Sequence, residues 1–246
     1  MASCRVVGVI PARLDSTRFP RKVLAEVAGK PLVRLVFERL SLASGIDEVF
    51  VATDSAEVER TVSSFGGQTL MVRERCATGS DRVAAAIRDI EADVVVNLQA
   101  DQPMISPSDI DRTVEALAAD GGLDLATLAF GADDEEGYLS PDVVKVVAGA
   151  GGRVLYFSRA PVPHVTEAAG VSPLYLHHVG IYCFRRRALE RFASLSRGTL
   201  ELRESLEQLR AVENGMSVGL LMTDRQTRSV DRPDDVAEVE RLISAG

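Results

Sequence analysis

Arg13, Arg18 and Lys22, with hydroxyls at Ser16 and Thr17 between them, are crowded into Ile10-Pro-Ala-Arg-Leu-Asp-Ser-Thr-Arg-Phe-Pro-Arg-Lys22. Fixed cations, hydroxyls and loop amides arranged in this way can hold a polyphosphate. The segment follows the apolar run Arg5-Val-Val-Gly-Val-Ile10, which reads as a buried parallel strand. A short basic loop leaving such a strand sits where α/β sheets bind ligands. Both glycine-rich phosphate motifs, G-x-x-x-x-G-K-[ST] and G-x-G-x-x-G, are missing here, so side chains must wrap the anion more than glycine amides do. The implied ligand is a nucleotide. A second apolar run, Asp93–Leu98, leads into Gln99-Ala-Asp-Gln-Pro103. It places Asp101 where a parallel sheet presents a magnesium ligand beside a nucleotide. Magnesium takes oxygen ligands and keeps waters, so one or two carboxylates plus phosphate oxygens suffice. From the residues alone, Asp101 reads equally well as a turn-forming aspartate.

These groups need a frame. Strand-like apolar runs recur at 5–10, 48–52, 68–72, 93–98, 124–130, 143–147, 152–157, 178–184 and 217–222. Helical spacing appears in Leu32, Val36 and Leu40, and in Val83, Ile87 and Ile90. Strands alternating with helices imply an α/β fold with a mostly parallel sheet covered on both faces. Ser106-Pro-Ser-Asp109 reads as a helix start, with a serine cap and proline at the first helical position. From about residue 124 the strands crowd together, and Gly149-Ala-Gly-Gly152 predicts a hairpin turn in an antiparallel extension. Leu202, Leu206, Leu209 and Val212 predict one amphipathic helix, and Val236, Val239, Leu242 and Ile243 predict the last. With no repeat or long linker, residues 1–246 read as one domain.

The 246 residues carry a net charge of −8, against the extended basic face that nucleic acid requires. No run approaches the ~20 apolar residues of a membrane span, and Met1-Ala-Ser-Cys-Arg does not read as a signal peptide, so a soluble cytoplasmic protein is expected. Cys4, Cys76 and Cys183 lack metal-type spacing, which argues against a disulfide framework and a structural zinc. Among 28 basic residues lysine occurs only at 22, 30 and 145, so a retained lysine says more here than an isolated arginine.

Pro11, Ala12, Arg13, Ser16, Thr17, Arg18, Pro20 and Lys22 together meet the pattern P-A-R-x-x-S-T-R-x-P-x-K. In this the chain resembles the 3-deoxy-manno-octulosonate (Kdo) cytidylyltransferases, a family of sugar-activating nucleotidyltransferases. Gln99–Pro103 resembles that family's Q-G-D-E-P, and Ser229-Val-Asp-Arg-Pro-Asp-Asp235 resembles V-D-T-P-E-D. The first aspartate of the latter is a metal ligand, so the resemblance gives Asp101 and Asp231 to Mg2+. On residue type alone, Asp231 serves as well to cap a helix beginning at Pro233. Thr78-Gly-Ser-Asp-Arg82 resembles S-G-T-E-R, a turn over the base. Ser80 and Arg82, with Arg73 and Gln99, thereby join Pro11, Ala12, Arg13, Ser16, Arg18 and Lys22 as expected CTP contacts, although the same turn also reads as an ordinary helix start. Tyr156-Phe-Ser-Arg-Ala160, His178-Val-Gly-Ile-Tyr182, Leu206-Glu-Gln-Leu-Arg210 and Val143-Val-Lys-Val-Val147 resemble Y-F-S-R-A, H-L-G-I-Y, L-E-Q-L-R and A-V-K-V-V. They imply that Arg159, His178, Tyr182, Glu207 and Gln208 face an acidic acceptor. On a strand that alternates faces, one of His178 and Tyr182 could equally be core.

The resemblance implies a Rossmann-like nucleotide-diphospho-sugar transferase architecture. Residues 1–122 would bind CTP, and 123–246 would bind the acceptor and form a homodimer. The implied reaction is CMP transfer from CTP to Kdo with release of pyrophosphate, in which Arg13, Lys22 and Asp101 act on the reacting phosphates. Three positions depart from the pattern: Arg21 for glycine, Gln102 for glutamate and Arg232 for threonine. Each adds one positive charge. This raises two alternatives, a more anionic acceptor such as a small phosphonate, and a nucleotide-binding protein impaired in turnover.

Overall fold

The computed structural model describes residues 4–16, 18–166 and 172–245; Thr17 of the opening motif lies outside them. The first half runs β1 (Val6–Pro11), β2 (Glu26–Val27), β3 (Lys30–Pro31), α1 (Leu32–Ser41), β4 (Glu48–Thr53), α2 (Ala56–Ser64), β5 (Gln68–Met71), α3 (Gly79–Ala86), β6 (Val94–Leu98) and α4 (Pro107–Ala119). The second runs β7 (Leu125–Ala132), α5 (Glu135–Leu139), β8 (Lys145–Ala148), β9 (Val154–Ser158), β10 (Tyr175–Arg185), α6 (Arg186–Ser194), α7 (Thr199–Glu204), α8 (Leu209–Glu213), β11 (Val218–Thr223) and α9 (Asp235–Ala245).

Each expected strand run lies on one of nine strands that form a single sheet, whose main path is β11-β7-β10-β6-β1-β4-β5. β6, β1, β4 and β5 are parallel, whereas β10 runs antiparallel to both β6 and β7. β8 and β9 form the expected antiparallel hairpin, and β8 pairs with β10. Its turn needs glycine, because Gly151 and Gly152 have φ of 82° and 72°, a region that L side chains avoid.

Strand alternation explains the two core layers. On β1, Val6 and Ile10 pack with Val36 and Leu40 of α1 on one face, and Val7 and Val9 pack with Val83 of α3 and Leu189 of α6 on the other. Burying each such valine or leucine stabilises the fold by roughly 1.5–3 kcal/mol. Gly8 allows the close approach of α1, because a Cβ there would stand 2.8 Å from a Leu40 methyl.

The chain moves outward from β1 to β4 and β5, then returns through α3 to place β6 on the other side of β1. Strand order therefore reverses between β1 and β6. A crevice opens at their carboxyl ends, where α/β sheets bind ligands. Both the basic loop after Pro11 and the loop carrying Asp101 leave the sheet at this point.

Three local expectations are corrected. Leu202 to Val212 is not one helix, since Ser205 adopts φ 53° and separates α7 from α8, leaving Leu202 exposed. Ser106 precedes α4 but makes no capping hydrogen bond; its hydroxyl pairs with Ser108 and Arg225 instead. The last helix begins at Asp235, not Pro233. Among the described residues no helix is long and apolar enough to cross a membrane.

Candidate active site

A cleft of about 430 Å3 opens over the β1–β6 crevice and reaches across to β10 and the α7–α8 junction. The side expected to take phosphate is built from three loops. Lys22 Nζ lies 2.8 Å from Asp101 Oδ2 and 3.4 Å from Asp231 Oδ1. Arg18 donates to Asp231 Oδ1 at 3.0 Å and to Asp142 Oδ1 at 2.8 Å. Arg13 lines the cleft without an ion-pair partner among the described residues. Burial pulls the Lys22 ammonium down, but the Asp101 and Asp231 carboxylates outweigh it and hold it above the usual lysine range.

The backbone fixes the two carboxylates relative to one another. The Val230 N–H donates to the Asp101 carbonyl at 3.0 Å, docking the 229–235 loop on the end of β6. Asp235 accepts from the Asp231 and Arg232 N–H groups at 2.8 and 2.7 Å. Asp235 thus reaches back from the first turn of α9 to fix the backbone before it, and the Asp231 side chain, which accepts from no α9 amide among the described residues, is left for Arg18, Lys22 and Ser229. Two carboxylates aimed at one ammonium form an oxygen donor set that suits a magnesium ion sharing its remaining positions with water and phosphate.

On the other side, Gln99, Gly79 and Pro11 meet closely: a Cβ at Gly79 would stand 3.1–3.3 Å from the Gln99 amide and Pro11 Cγ. Ser80 is buried and gives both its N–H and its hydroxyl to Glu207, each at 2.9 Å; Gln99 Nε2 reaches the same carboxylate at 3.3 Å. Burial holds the Glu207 carboxyl above its usual range despite the Ser80 donors. Ser80 therefore supports Glu207 from behind, and it does not line the cleft.

Arg82 is also buried, paired with Asp54 at 2.7 Å, and its Nη1 has no hydrogen-bond partner among the described residues. It too lies outside the cleft lining, as do Pro11, Ser16, the exposed Arg73, and Lys22, which meets the lining through Asp101 and Asp231. Ala12 is packed in the core and donates its N–H to Ala52 O at 2.9 Å.

The residues expected to face the acceptor come together around β10 and the α7–α8 junction. His178 and Tyr182 are both buried and both line the cleft, with ring centroids 5.5 Å apart, so neither is purely core. A β-bulge interrupts β10 between them. Gln208 precedes α8 and also lines the cleft. Arg159 is held by Glu204 O and Pro141 O, each at 2.8 Å. Beneath it, fully buried Lys145 donates to the carbonyls of Ser140, Val143 and Arg159 at 2.7–2.8 Å. The retained lysine thus ties the Arg159 segment to the 140–143 turn.

His178 accepts from or donates to Thr127 Oγ1 at 2.9 Å, and burial pulls its pKa down to about 3. Because this value lies below the ordinary 6.5, the folded protein binds fewer protons than the unfolded chain between the two, and His178's contribution to stability falls as pH drops through that window. We expect the His178 imidazole signals in NMR to stay at their neutral shifts from pH 8 to pH 5. A midpoint near 6.5 would show that the ring is solvated.

Sequence reasoning misses several residues in and behind the cleft: Asp142 and Glu201 line it, Glu204 lies behind it and holds Arg159, and buried Arg210 is held by Glu201 at 2.8 Å and Asp81 at 2.7 Å. Two of the three added charges are locally balanced. Arg232 pairs with Asp142 at 2.9 Å, and Arg21 pairs with Glu57 on α2. Arg21 has φ 61°, which explains why glycine suits this position and costs the arginine about 1–2 kcal/mol. Gln102 donates to Asp101 Oδ1 at 3.3 Å.

A family model described as cytidylyltransferase matches residues 7–218. A 3-deoxy-manno-octulosonate cytidylyltransferase from Syntrophobacter fumaroxidans is 44% identical over 243 residues, covering 98% of this chain and 97% of that protein. One from Anaeromyxobacter dehalogenans (strain 2CP-C) is 46% identical over 244 residues, covering 98% of each. A solved CMP:2-keto-3-deoxy-manno-octonic acid synthetase in complex with CTP superposes with a TM-score of 0.90 at 38% identity, covering 98% of this chain and 99% of that one. Sequence and fold agree over nearly the whole length, and the chain belongs to the cytidylyltransferase family, among the 3-deoxy-manno-octulosonate cytidylyltransferases.

Proposed function

We propose that this protein is a CTP-dependent nucleotidyltransferase that transfers CMP from CTP to Kdo, giving CMP-Kdo and pyrophosphate. The observation that carries this reading is the convergence of Arg18 and Lys22 with Asp101 and Asp231 at the strand-order reversal, opposite Arg159, His178, Tyr182 and Gln208. An acceptor hydroxyl attacks the α-phosphorus of CTP, a new P–O bond forms as the hydroxyl proton passes to water, and the bond to the bridging oxygen breaks, with pyrophosphate leaving. Arg13, Arg18 and Lys22 hold the phosphates and offset charge on the leaving group. Asp101 and Asp231 would hold a magnesium ion, which when bound neutralises phosphate charge and polarises the P–O bonds. Gln99 and the Thr78–Gly79 turn face the nucleotide, while Arg159 offers a cation to the acceptor carboxylate.

The pairing of Arg21 with Glu57 and of Arg232 with Asp142 favours Kdo over a more anionic acceptor, because two of the added charges are spent within the protein. We also place the homodimer contact on the second half of the chain, where Leu155 and Met222 are 57% and 43% exposed, and the protein in the cytoplasm, where CTP is supplied.

Pyrophosphate release from CTP, measured with Kdo or a small phosphonate, with magnesium or with chelator, tests the reading. Release that needs both Kdo and magnesium supports it. Release with the phosphonate alone reassigns the acceptor, and no release with either leaves a nucleotide-binding protein. In the same assay Lys22→Ala should raise the apparent CTP constant about tenfold or more, the effect of losing a charge-assisted phosphate contact of about 1.5–3 kcal/mol, and should slow turnover as well. Unchanged parameters would make the opening loop structural.

A further inference from the structure

Asp142 stands where three segments of the cleft meet. Its Oδ1 accepts from Arg18 Nη1 at 2.8 Å, and its Oδ2 accepts from Arg232 Nη2 and Nε at 2.9 and 3.1 Å. One carboxylate thus joins the opening loop to the loop that carries Asp231. Burial works against its charge, but the two guanidinium groups hold the Asp142 carboxyl below the usual aspartate range. Arg18 gives its other terminal nitrogen to Asp231, so both are spent on protein carboxylates.

A triphosphate recruiting Arg18 must therefore displace a carboxylate that already serves as its anion. We propose that Asp142 sets the affinity for the triphosphate by competing for Arg18, and that Arg232 tunes this competition by holding the other oxygen of the same carboxylate. The inference rests on the reading of the cleft as the CTP site.

The physical consequence is an exchange of partners. When Arg18 turns to phosphate, Asp142 keeps its two hydrogen bonds to Arg232 and is not left unpaired in the cleft. Without Arg232 the same carboxylate would depend on Arg18 and release it less readily. Arg232 thereby favours nucleotide binding through Asp142, without touching the nucleotide.

The test is equilibrium binding of CTP, and of inorganic tripolyphosphate as the probe for the phosphate portion, by calorimetry with chelator present. It uses wild type, Asp142→Asn, Arg232→Gln and the double variant. Asp142→Asn is expected to tighten both ligands about three- to fivefold, the scale of a partly exposed ion pair of up to about 1 kcal/mol. A misfolded variant cannot produce such a gain. Arg232→Gln should weaken both ligands by a similar factor in the wild-type background and change nothing in the Asp142→Asn background. Equal weakening in both backgrounds would mean that Arg232 acts directly on the ligand field and would overturn the proposal, as would unchanged or weaker binding in Asp142→Asn. Failure of the wild type to bind CTP would instead overturn the assignment of the cleft.

Discussion

Asp101→Asn is expected to bind CTP in the presence of chelator at least as well as the wild type, and to lose turnover by at least about a hundredfold. The two halves of this result have one cause. Asp101 Oδ2 accepts from Lys22 at 2.8 Å, so with chelator present removing its charge frees the ammonium for phosphate. On the proposed reading, the same change removes during turnover one of two carboxylates that would hold magnesium, and an amide replaces a charged oxygen ligand poorly. A loss of roughly 3 kcal/mol in transition-state stabilisation corresponds to a rate factor of about a hundred or more. Pyrophosphate release under saturating CTP, paired with calorimetry in chelator, measures both. Near-normal turnover would take Asp101 out of the metal site, and weakened metal-free binding would show that the substitution disturbs the loop itself.

The largest stability effect should come from Arg210→Met. The Arg210 guanidinium bridges Glu201 and Asp81, lies 4.4 Å from the centroid of the Phe192 ring, and has a side chain only 2% exposed. Asp81 is also the third helical residue of the capping box at the start of α3, so the cluster ties the Thr78–Gly79 turn to the α7–α8 junction. Removing the cation leaves the fully buried Glu201, among the described residues, with the half-exposed Arg197 as its remaining cation at 2.9 Å. Breaking a buried ion pair from one side costs about 3–5 kcal/mol. For a chain of this size that lowers the melting temperature by about 10 °C, since each kcal/mol is worth roughly 2–4 °C. Thermal unfolding followed by circular dichroism provides the check, and a shift below about 2 °C would show that the cluster is not stabilised by Arg210. Neutralising the fully buried partner as well, as Glu201→Gln with Arg210→Met, should recover part of the loss, because the carboxylate then left without Arg210, Asp81, is partly exposed and still accepts from the Thr78 N–H.

Arg210 also shows where reading the sequence stops. The strands were legible because apolar runs of this length must be buried, and the hairpin was legible because a glycine-rich turn punctuates two such runs. The basic loop and Asp101 were legible as types of chemistry, since each directly follows an apolar strand. The resemblance of the Thr78–Arg82 turn implies Ser80 and Arg82 as ligand contacts, but both side chains face inward, one beneath Glu207 and one against Asp54. The turn itself gives no signal of which side chains point into the protein. The break at Ser205 was hidden because the leucine spacing continues through it. Asp142 carried no local signal either: its partners Arg18 and Arg232 are remote in sequence and meet only once the sheet has formed.

The hydrogen bond from Val230 to the Asp101 carbonyl makes the spacing of two carboxylates a property of the whole fold. Asp101 directly follows β6, whereas Asp231 lies beyond β11, so the pair is brought together only when both halves of the sheet are in place. A change that undocks the 229–235 loop would therefore separate Asp101 from Asp231 without touching either side chain.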